Sequence, residues 1–480
     1  MTFCNRIIED FRISVTITEA SHARHQRVRD PATARNRTKA MKKIAIIGSG
    51  ISGLSAAFFL DRRHEVTLYE KQARLGGHSR TVYVTYGDRT IPVDTGFIVF
   101  NKRNYPNLTS LFRTLDVPIK DSDMTFALTV GDGWLEWGAR DLHAILAQPR
   151  NLLRPKFLRL FADVMRFNRS ALAEVARFPH MTVGELIQSM KLGDWFRQHY
   201  LLPMASAIWS CPPSKILDFP ARSLVQFFAN HSLLSMNGQP QWLTVDGGSN
   251  VYVEKLADAL GERVRKGCGA VAITRTTRGV RVVGGDGASV LYDEVVFACH
   301  SDEALALLQD AIDAERNALG AIRYQPNLAV LHKDTRFMPK RKACWASWVY
   351  NSNGDGEDPA VSVTYWMNSL QGIDNRYPLF VTLNPAREIA PEHVFDTCEF
   401  AHPVFDFAAK EAQKTLSNMQ GRNNTWFCGA YMGHGFHEDG LVSAMRVAER
   451  LGAPAPWTLP SASPAHRATH PALALVASTA

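Results

Sequence analysis

Three glycines at fixed spacing make up the part of this sequence best suited to hold a phosphate group. Gly48, Gly50 and Gly53 give the pattern G-x-G-x-x-G. In such a turn the first glycine permits a tight bend, the second lets backbone approach a pyrophosphate, and the third lets a helix pack on a strand. Glu70 lies 17 residues past Gly53, where a carboxylate binds ribose hydroxyls. The pattern predicts a dinucleotide site, and the simpler alternative is a glycine-rich structural turn.

Two histidines and an acid near the end of the chain are the candidates for acid–base chemistry. His434, His437 and Glu438 lie in a glycine-rich segment. A metal pair is not predicted, because Gly435 and the loop setting do not give the same-face helical spacing that two ligands need. Two interpretations stay open: a polar loop around a cofactor, or an acid–base role for His437 or Glu438.

The glycine turn needs a strand before it and a helix after it. Residues 44–47 form an apolar run, residues 54–60 are helix-like, and a second apolar run at 66–69 ends in Glu70. This order predicts a strand, a turn, a helix and a second strand, with the phosphates at the positive end of the helix dipole.

Elements of the nucleotide-binding type stand at both ends and in the middle of the chain, with aromatic and helix-rich stretches between them. A chain of 480 residues also exceeds one compact core. We therefore predict two discontinuous domains. The proline-containing stretch 203–220 is predicted to be an irregular loop. The dinucleotide-binding domain comprises 41–105, 241–320 and 421–452, and the substrate domain comprises 106–240 and 321–420.

The composition and charge exclude several classes of function. Residues 1–40 carry half of the net charge of +8, so the remaining chain is only mildly basic and nucleic acid is not predicted as a partner. The seven cysteines are scattered without a CxxC pair, which favours reduced thiols in a cytoplasmic protein. No apolar run is long enough to span a bilayer.

The two ends of the chain lack the patterns of packed structure. Residues 1–40 are rich in Arg and Thr, and we predict a disordered extension with Met41 as a working start. A transit peptide is the alternative, although four acidic residues weaken it. Residues 453–480 are rich in Pro, Ala and Ser and predict a disordered tail.

With these motifs in place, the chain resembles the flavin-dependent amine oxidase/phytoene desaturase superfamily. The resemblance rests on the glycine turn, on Arg74-Leu75-Gly76-Gly77, and on a closing motif at 428–444. Segments at 93–101, 207–210, 364–368, 402–405 and 435–440 resemble a bacterial group of predicted NAD/FAD-binding proteins associated with cyclopropane fatty acid synthase genes. The resemblance covers 41–452 and implies an α/β fold: a Rossmann-like FAD-binding domain, with a parallel sheet plus a β-meander, and an interleaved α+β substrate domain.

The resemblance favours FAD over NAD as the cofactor. An NAD-only dehydrogenase has no use for Arg74-Leu75-Gly76-Gly77 or for a second contact near the C-terminus, and residues 284–287 suit a hairpin turn better than a second nucleotide site. One departure is Ala430, where many members of the superfamily carry an acid. The predicted cofactor contacts are Gly48, Ser49, Gly50, Ile51, Ser52, Gly53, Glu70, Lys71, Arg74, Leu75, Gly76, Gly77, His78, Thr95, Gly96, Val271, Gly429, Gly440, Leu441 and Ser443.

Aromatic residues between the motifs are the candidates for a substrate cavity. Those that line one would favour an acyl or isoprenoid chain, and the alternative for each is ordinary core packing. The set is Phe97, Phe100, Trp209, Phe227, Phe228, Trp242, Trp345, Trp348, Tyr365 and Trp366.

The leading hypothesis for function is an FAD-dependent oxidase or desaturase that removes a hydride from a fatty acyl substrate. Flavin accepts hydride at N5, and an allylic C–H is a better donor than a saturated methylene. An amine oxidase is the alternative of the same class. A flavin-binding partner of a lipid-modifying methyltransferase, with little turnover of its own, is the alternative from another class.

A basic, apolar segment at 150–169 bears on the location of the protein. Six Lys and Arg residues alternate there with Leu, Phe and Val, which predicts a basic amphipathic helix that lies on an anionic membrane surface. The alternative is a surface helix whose apolar side packs on the core. The predicted location is therefore cytoplasmic, with a peripheral contact at the inner face of the membrane.

Overall fold

A computed structural model describes residues 40–235, 238–352 and 362–459. The prediction of a disordered extension at 1–40 falls outside these residues except for Ala40. The strands are β1 (Lys43–Ile47), β2 (Glu65–Glu70), β3 (Thr81–Tyr86), β4 (Arg89–Asp94), β5 (Val99–Asn101), β6 (Ile119–Ser122), β7 (Phe126–Val130), β8 (Leu135–Gly138), β9 (Trp242–Val245), β10 (Val264–Lys266), β11 (Ala270–Thr276), β12 (Gly279–Gly284), β13 (Ser289–Tyr292), β14 (Glu294–Phe297), β15 (Tyr324–His332), β16 (Trp348–Ser352), β17 (Ser362–Trp366), β18 (Phe380–Leu383), β19 (Val394–Pro403) and β20 (Thr425–Phe427).

Helices occupy both the nucleotide-binding and the intervening stretches. They are α1 (Ile51–Leu60), α2 (Pro106–Thr114), α3 (Leu142–Ile145), α4 (Pro155–Arg177), α5 (Val183–Ser189), α6 (Asp194–Phe196), α7 (Leu202–Trp209), α8 (Pro213–Leu217), α9 (Ala221–Asn230), α10 (Asn250–Leu260), α11 (Ser301–Leu307), α12 (Asp313–Ala321), α13 (Met367–Gln371), α14 (Phe407–Met419) and α15 (His437–Leu451). A π-helical turn, Arg197–Leu201, joins α6 to α7.

A parallel sheet of five strands carries the glycine turn. Its order is β10-β2-β1-β14-β20, so β1 lies at the centre, and Ile46 pairs with Leu68 on one side and with Val296 on the other. Helices cover one face, and the antiparallel β11-β12-β13 meander with α11 and α12 covers the other, which buries the apolar β1 on both faces. Residues 284–287 form the hairpin turn between β12 and β13.

A second, seven-stranded sheet forms the other half of the molecule. Its order is β19-β15-β18-β17-β16-β7-β8, and every neighbouring pair is antiparallel except β7 with β16. Helices α4 to α9 pack with this sheet in the largest apolar core. The predicted α/β fold, with a parallel sheet and meander beside an interleaved α+β part, is confirmed.

Two helices pack elsewhere than the predicted domain boundaries place them. Leu108 and Leu111 of α2 belong to the core between the parallel sheet and α1, and Ala412 and Leu416 of α14 belong to the core on its opposite face. Both helices had been assigned to the substrate domain. Their apolar stripes are covered by the parallel sheet, so residues 106–114 and 407–419 pack with the nucleotide half.

The loop predicted at 203–220 is wrong. Pro213 is the first residue of α8, where its missing N–H costs nothing. Pro203 lies within a continuous helical run, shortly after the π-helical turn Arg197–Leu201. The chain turns between them at Ser210, whose φ of 49° is left-handed.

The predicted tail is also wrong in its first residues. Ala453 is buried, and the Trp457 ring packs edge-on against Phe59 at 5.5 Å while its Nε1 donates to Asn107 at 3.2 Å. Residues 453–459 therefore close the nucleotide half, and 460–480 lie outside the described residues. None of the described helices is both long and apolar enough to cross a membrane.

Candidate functional site

One large cavity runs from the glycine turn to the seven-stranded sheet. It has a volume of about 890 Å³. Its lining begins at Gly48 and Glu70 beside the parallel sheet and ends at Trp348 and Tyr365 on β16 and β17. The nucleotide motif and the predicted substrate aromatics therefore face the same space.

The three glycines of the turn differ in what surrounds them. A Cβ on Gly53 would lie 1.8 Å from the carbonyl oxygen of Gly48, and Gly48 itself has a φ of +101°. A Cβ on Gly50 would meet nothing within 4 Å. Gly53 and Gly48 are thus required by the fold, whereas the space beside Gly50 is kept open at the N-terminus of α1.

Glu70 is fixed at the end of β2 by the loops on either side of it. Its Oε2 accepts bonds from the backbone N–H and the Oγ of Ser49 at 2.9 and 2.6 Å, and its Oε1 accepts one from Gln72 N at 2.8 Å. The carboxylate lines the cavity at the edge of the glycine turn, in the position predicted for a ribose contact.

The second glycine pair lies directly against the first turn. Gly76 and Gly77 have φ values of +102° and +58°, and a Cβ on Gly77 would lie 3.1 Å from Gly50 Cα. Arg74 donates to the carbonyl of Gly77 at 2.8 Å and so stiffens this loop. Backbone of both loops therefore borders the cavity where a pyrophosphate would fit.

A third loop is held by a buried carboxylate. Asp94 accepts bonds from Thr81 Oγ1 at 2.6 Å and from Ser249 N at 2.8 Å, and its pKa is raised to about 6 by burial. These bonds fix Thr95 and Gly96, which line the cavity beside His78. Sequence reasoning did not single out Asp94, although it directly precedes two predicted contacts.

Two serines join α15 to the Gly429 loop and to the helix that follows the glycine turn. Ser443 Oγ accepts from Gly429 N at 2.9 Å and donates to the carbonyl of Gly440 at 2.7 Å. Ser52 Oγ donates to the same carbonyl at 2.9 Å. Ser443 thus sets the position of Gly429 and Ala430, which line the cavity.

The structure brings most of the predicted cofactor residues to the cavity wall. Those that line it are Gly48, Ser49, Gly50, Ile51, Ser52, Glu70, Lys71, Arg74, Gly76, Gly77, His78, Thr95, Gly96 and Gly429. Those behind the wall or away from it are Gly53, Leu75, Val271, Gly440, Leu441 and Ser443. Val271 is 56% exposed on the meander, whereas Gly269 and Ala270 just before it line the cavity.

His437 and Glu438, the predicted acid–base pair, both lie in the first turn of α15, but their side chains contact different parts of the molecule. The His437 ring stacks on Phe97 with centroids 3.7 Å apart, and its Nε2 is 2.9 Å from Ser79 Oγ. Burial lowers its pKa to about 3, so the ring is neutral at pH 7 and a weak base. His437 lines the cavity, but Glu438 does not.

Glu438 caps a helix. Its Oε1 accepts from Asn107 N at 2.9 Å and from Asn107 Nδ2 at 2.8 Å, and its Oε2 accepts from Leu108 N at 2.9 Å. The backbone N–H groups in the first turn of α2 have no acceptor within the helix, and the Glu438 carboxylate accepts from them. The geometry therefore supports a structural role for Glu438 and gives no support to a catalytic one.

Replacing Glu438 tests this role. We expect Glu438→Ala to lower stability by about 2–3 kcal/mol, because buried N–H donors of α2 lose their acceptor. Glu438→Gln should retain much of that stability and leave turnover within about threefold of wild type. Thermal denaturation followed by circular dichroism, with steady-state kinetics, measures both. A Gln variant of wild-type stability that has lost its activity would restore the catalytic assignment.

His78, a predicted cofactor contact, meets His300 and His402 beside the two glycine loops, and sequence reasoning missed this cluster. The ring centroids of His78 and His402 are 5.3 Å apart, and those of His78 and His300 are 5.9 Å apart. Burial lowers the pKa of all three, that of His402 to about 4 and that of His78 well below its usual value. All three line the cavity as neutral groups. They are far apart in the sequence, so only the folded structure shows that they form a cluster.

The far end of the cavity is apolar. Five of the predicted aromatics line it: Phe97, Phe227, Trp242, Trp348 and Tyr365. The other five of that set pack elsewhere. The sequence missed the lining residues Phe126, Met204, Ile208, Leu233, Leu383 and Phe436.

Three carboxylates line the described part of the cavity. Among the described lining residues they are Glu70, Glu303 and Glu399. Glu70 is bonded to Ser49, Glu303 pairs with Lys71, and Glu399 is exposed on β19. Within the described ranges, no group of three or more His, Cys, Asp or Glu side chains is placed to hold a metal ion.

The geometry fits FAD. The open space at Gly50, the backbone at Gly76–Gly77 and Thr95–Gly96, and the Gly429 loop line one continuous cavity. Gly50 offers a wall without a side chain where a pyrophosphate would lie, and the cavity continues past Gly429 to the apolar end.

Comparison with known proteins gives the same result. Residues 51–392 match the family model described as flavin containing amine oxidoreductase. The FAD-dependent oxidoreductase dpasF of Apiospora sacchari is 26% identical over 260 residues, a match that spans 51% of this chain and 51% of that protein. The chain thus matches about half the length of this curated relative.

Two solved structures share the fold over their whole length. The fatty acid isomerase of P. acnes that produces CLA superposes with a TM-score of 0.62 at 15% identity, covering 86% of this chain and 99% of its own. Cyclohexylamine oxidase from Brevibacterium oxydans IH-35A gives a TM-score of 0.59 at 16% identity, with the same coverage. At these identities the likeness concerns the fold alone. The predicted superfamily is confirmed, and the association with cyclopropane fatty acid synthase genes stays a prediction.

Proposed function

Because the chain belongs to the flavin-containing amine oxidoreductase family, we propose that it is an FAD-dependent oxidoreductase whose substrate is an unsaturated fatty acyl chain. The observation that carries this proposal is the apolar lining at the far end of the cavity, to which Ile208, Phe227 and Trp348 contribute. A protonated amine in such a place would be an unpaired buried cation, which is costly. An acyl chain meets no such cost there.

Further support comes from the neutral state of the cavity's histidines. Burial holds the pKa of His437 at about 3 and that of His402 at about 4, so neither contributes a charge at neutral pH. The wall at these two rings therefore favours a substrate whose reacting part is uncharged.

Bound FAD, held by the glycine turn and the Gly429 loop, would accept the hydride of a C–H bond, and the proton lost with it would pass to solvent. Dioxygen or an electron carrier would then reoxidise the flavin. The residues of this chain hold and shield the substrate. Phe227 and Phe436 stack at 4.9 Å, and Trp348 and Tyr365 meet edge to face at 5.1 Å, so aromatic surfaces line the acyl chain and exclude water. An allylic C–H is the proposed donor, because a saturated methylene gives up hydride poorly.

Anaerobic mixing tests the proposal. The FAD-loaded protein is mixed with linoleate, a dioleoyl phospholipid, stearate or cyclohexylamine, and flavin absorbance is followed near 450 nm. We expect an unsaturated lipid to bleach the flavin and to lose two hydrogens by mass spectrometry, whereas stearate and the amine do not react.

Each other outcome rejects the proposal in a different way. Bleaching by the amine alone assigns amine oxidation. A shifted double bond without lasting bleaching assigns isomerisation. A flavin inert to every substrate, in a protein that co-purifies with a lipid methyltransferase, assigns the role of a binding partner.

A further inference from the structure

Helix α4 has two different apolar sides. The inner side is buried through Phe157, Leu160, Phe167, Ala171 and Val175. This confirms that the helix packs one side on the core. The large apolar residues on the outer side of the helix are not covered by that core.

A stripe of large apolar residues runs along the outer side of α4. Leu158, Met165 and Leu172 are seven residues apart, so they fall on one line along the helix, and they are 51%, 50% and 44% exposed. Leu142 and Leu153, just before the helix, are 71% and 86% exposed. Eight of the seventeen exposed large apolar side chains in the described part of the chain lie within 142–178.

The charges around this stripe have one sign. The exposed charged residues of α4 are Lys156, Arg159, Arg166, Arg169 and Arg177. Asp163 is buried on the inner side, 3.7 and 3.6 Å from the guanidinium groups of Arg159 and Arg166. None of the exposed positions of the helix carries a carboxylate.

We propose that the outer face of α4, defined by Leu158, Met165 and Leu172 with Arg166 and Arg169 on one flank of this stripe, binds the surface of an anionic lipid bilayer. Apolar side chains enter the boundary between headgroups and acyl chains, and the cations attract anionic lipids. A second copy of the chain fits this face less well, because two sets of cations would meet without a counter-charge.

The position of α4 relates this face to the cavity. The ring of Phe167 on its inner side meets Phe228 of α9 at 6.3 Å, and the adjacent Phe227 lines the cavity. One helix therefore separates the outer face from the apolar end of the cavity. The binding itself does not depend on the proposed oxidation.

Vesicle flotation tests the face. The FAD-loaded full chain is mixed with vesicles of phosphatidylcholine alone, or with an equal part of phosphatidylglycerol, at low and high salt. We expect flavin colour to float with the anionic vesicles and less so at high salt. The basic residues within 1–40 are present in every variant, so differences between variants report on α4.

Two variants and a matched control locate the contact. Leu158→Gln/Met165→Gln/Leu172→Gln keeps good helix formers on exposed positions and should weaken vesicle binding at least tenfold. Arg169→Gln, which leaves the contact of Arg166 with Asp163 in place, should weaken it roughly fivefold at low salt. The control Leu291→Gln/Ile312→Gln/Leu328→Gln changes three similarly exposed residues elsewhere and should bind as wild type does.

Three results would overturn the proposal. They are a wild-type protein that stays at the bottom with anionic vesicles, an α4 variant that binds as tightly as wild type, and a wild-type dimer in gel filtration that the apolar variant dissociates. The last would assign the face to a second copy. Flotation needs no turnover, so this test and that of acyl oxidation can fail separately.

Discussion

We expect Gly50→Ala to give a folded protein that has lost most of its FAD, and Gly53→Ala to give little folded protein. The two residues stand three apart in one turn, yet a methyl group meets different surroundings at each. At Gly53 it would lie 1.8 Å from backbone at Gly48, and neither partner can move without displacing α1 from β1. At Gly50 it meets no protein atom within 4 Å.

The empty space at Gly50 is explained by the cofactor. A methyl group there extends into the room needed by the pyrophosphate, which approaches backbone at the second glycine of such a turn. We expect FAD affinity to fall about 100-fold or more, which corresponds to about 2.7 kcal/mol. The ratio of flavin to protein absorbance after purification measures this loss.

Circular dichroism and thermal denaturation separate the two variants. The Gly50 variant should keep the spectrum of wild-type protein stripped of FAD, whereas the Gly53 variant should be insoluble or unfold at much lower temperature. Gly320→Ala, in α12 outside the cavity, is the matched control, because Gly320 also lacks a positive φ and its Cβ would meet only Leu305 Cδ2, at 3.8 Å. Full flavin content in the Gly50 variant would refute the placement of the pyrophosphate.

Ile208→Glu should remove acyl oxidation and leave FAD in place. Ile208 lines the apolar end from α7 and is not among the predicted cofactor contacts. A carboxylate there would be buried against an acyl chain, at a cost of several kcal/mol or with a raised pKa. We expect kcat/KM for an unsaturated lipid to fall at least 100-fold, about 2.7 kcal/mol in the barrier.

The matched variant Ile208→Gln separates charge from size. It should lose about tenfold or less, since the amide has the same shape without the charge. Cyclohexylamine should bleach the flavin of the Glu variant faster than that of wild type, because the new carboxylate pairs with the ammonium group. Equal loss of activity in both variants would mean that the space at Ile208, and not its lack of charge, selects the substrate.

Local patterns made the nucleotide half predictable. The strand, turn and helix around Gly48, and the Glu70 that follows, each depend on neighbours within a few dozen residues. Backbone contacts between short loops, such as Gly77 against Gly50, were also implied by the motifs. The FAD-binding fold could therefore be predicted from residue spacing and resemblance.

Distant contacts limited the prediction of the site. Glu438 was predicted to be catalytic because it stands beside His437, but it caps a helix that begins 331 residues earlier in the chain. His78, His300 and His402 form a cluster only through folding. Val271 lies one residue from the cavity lining, and strand alternation decides which neighbour faces inward. Such facts depend on register and on packing between remote segments.

The strand order of the parallel sheet has a consequence for the time at which the protein acquires its cofactor. The central strand β1 is made early in synthesis, but its partner β14 follows about 250 residues later, and β20 and α15 follow later still. Ser443 and Gly440 of α15 brace the glycine turn and the Gly429 loop. A nascent chain therefore displays a phosphate-binding turn long before it can retain FAD, and flavin capture becomes a late folding step that follows translation of the last helix.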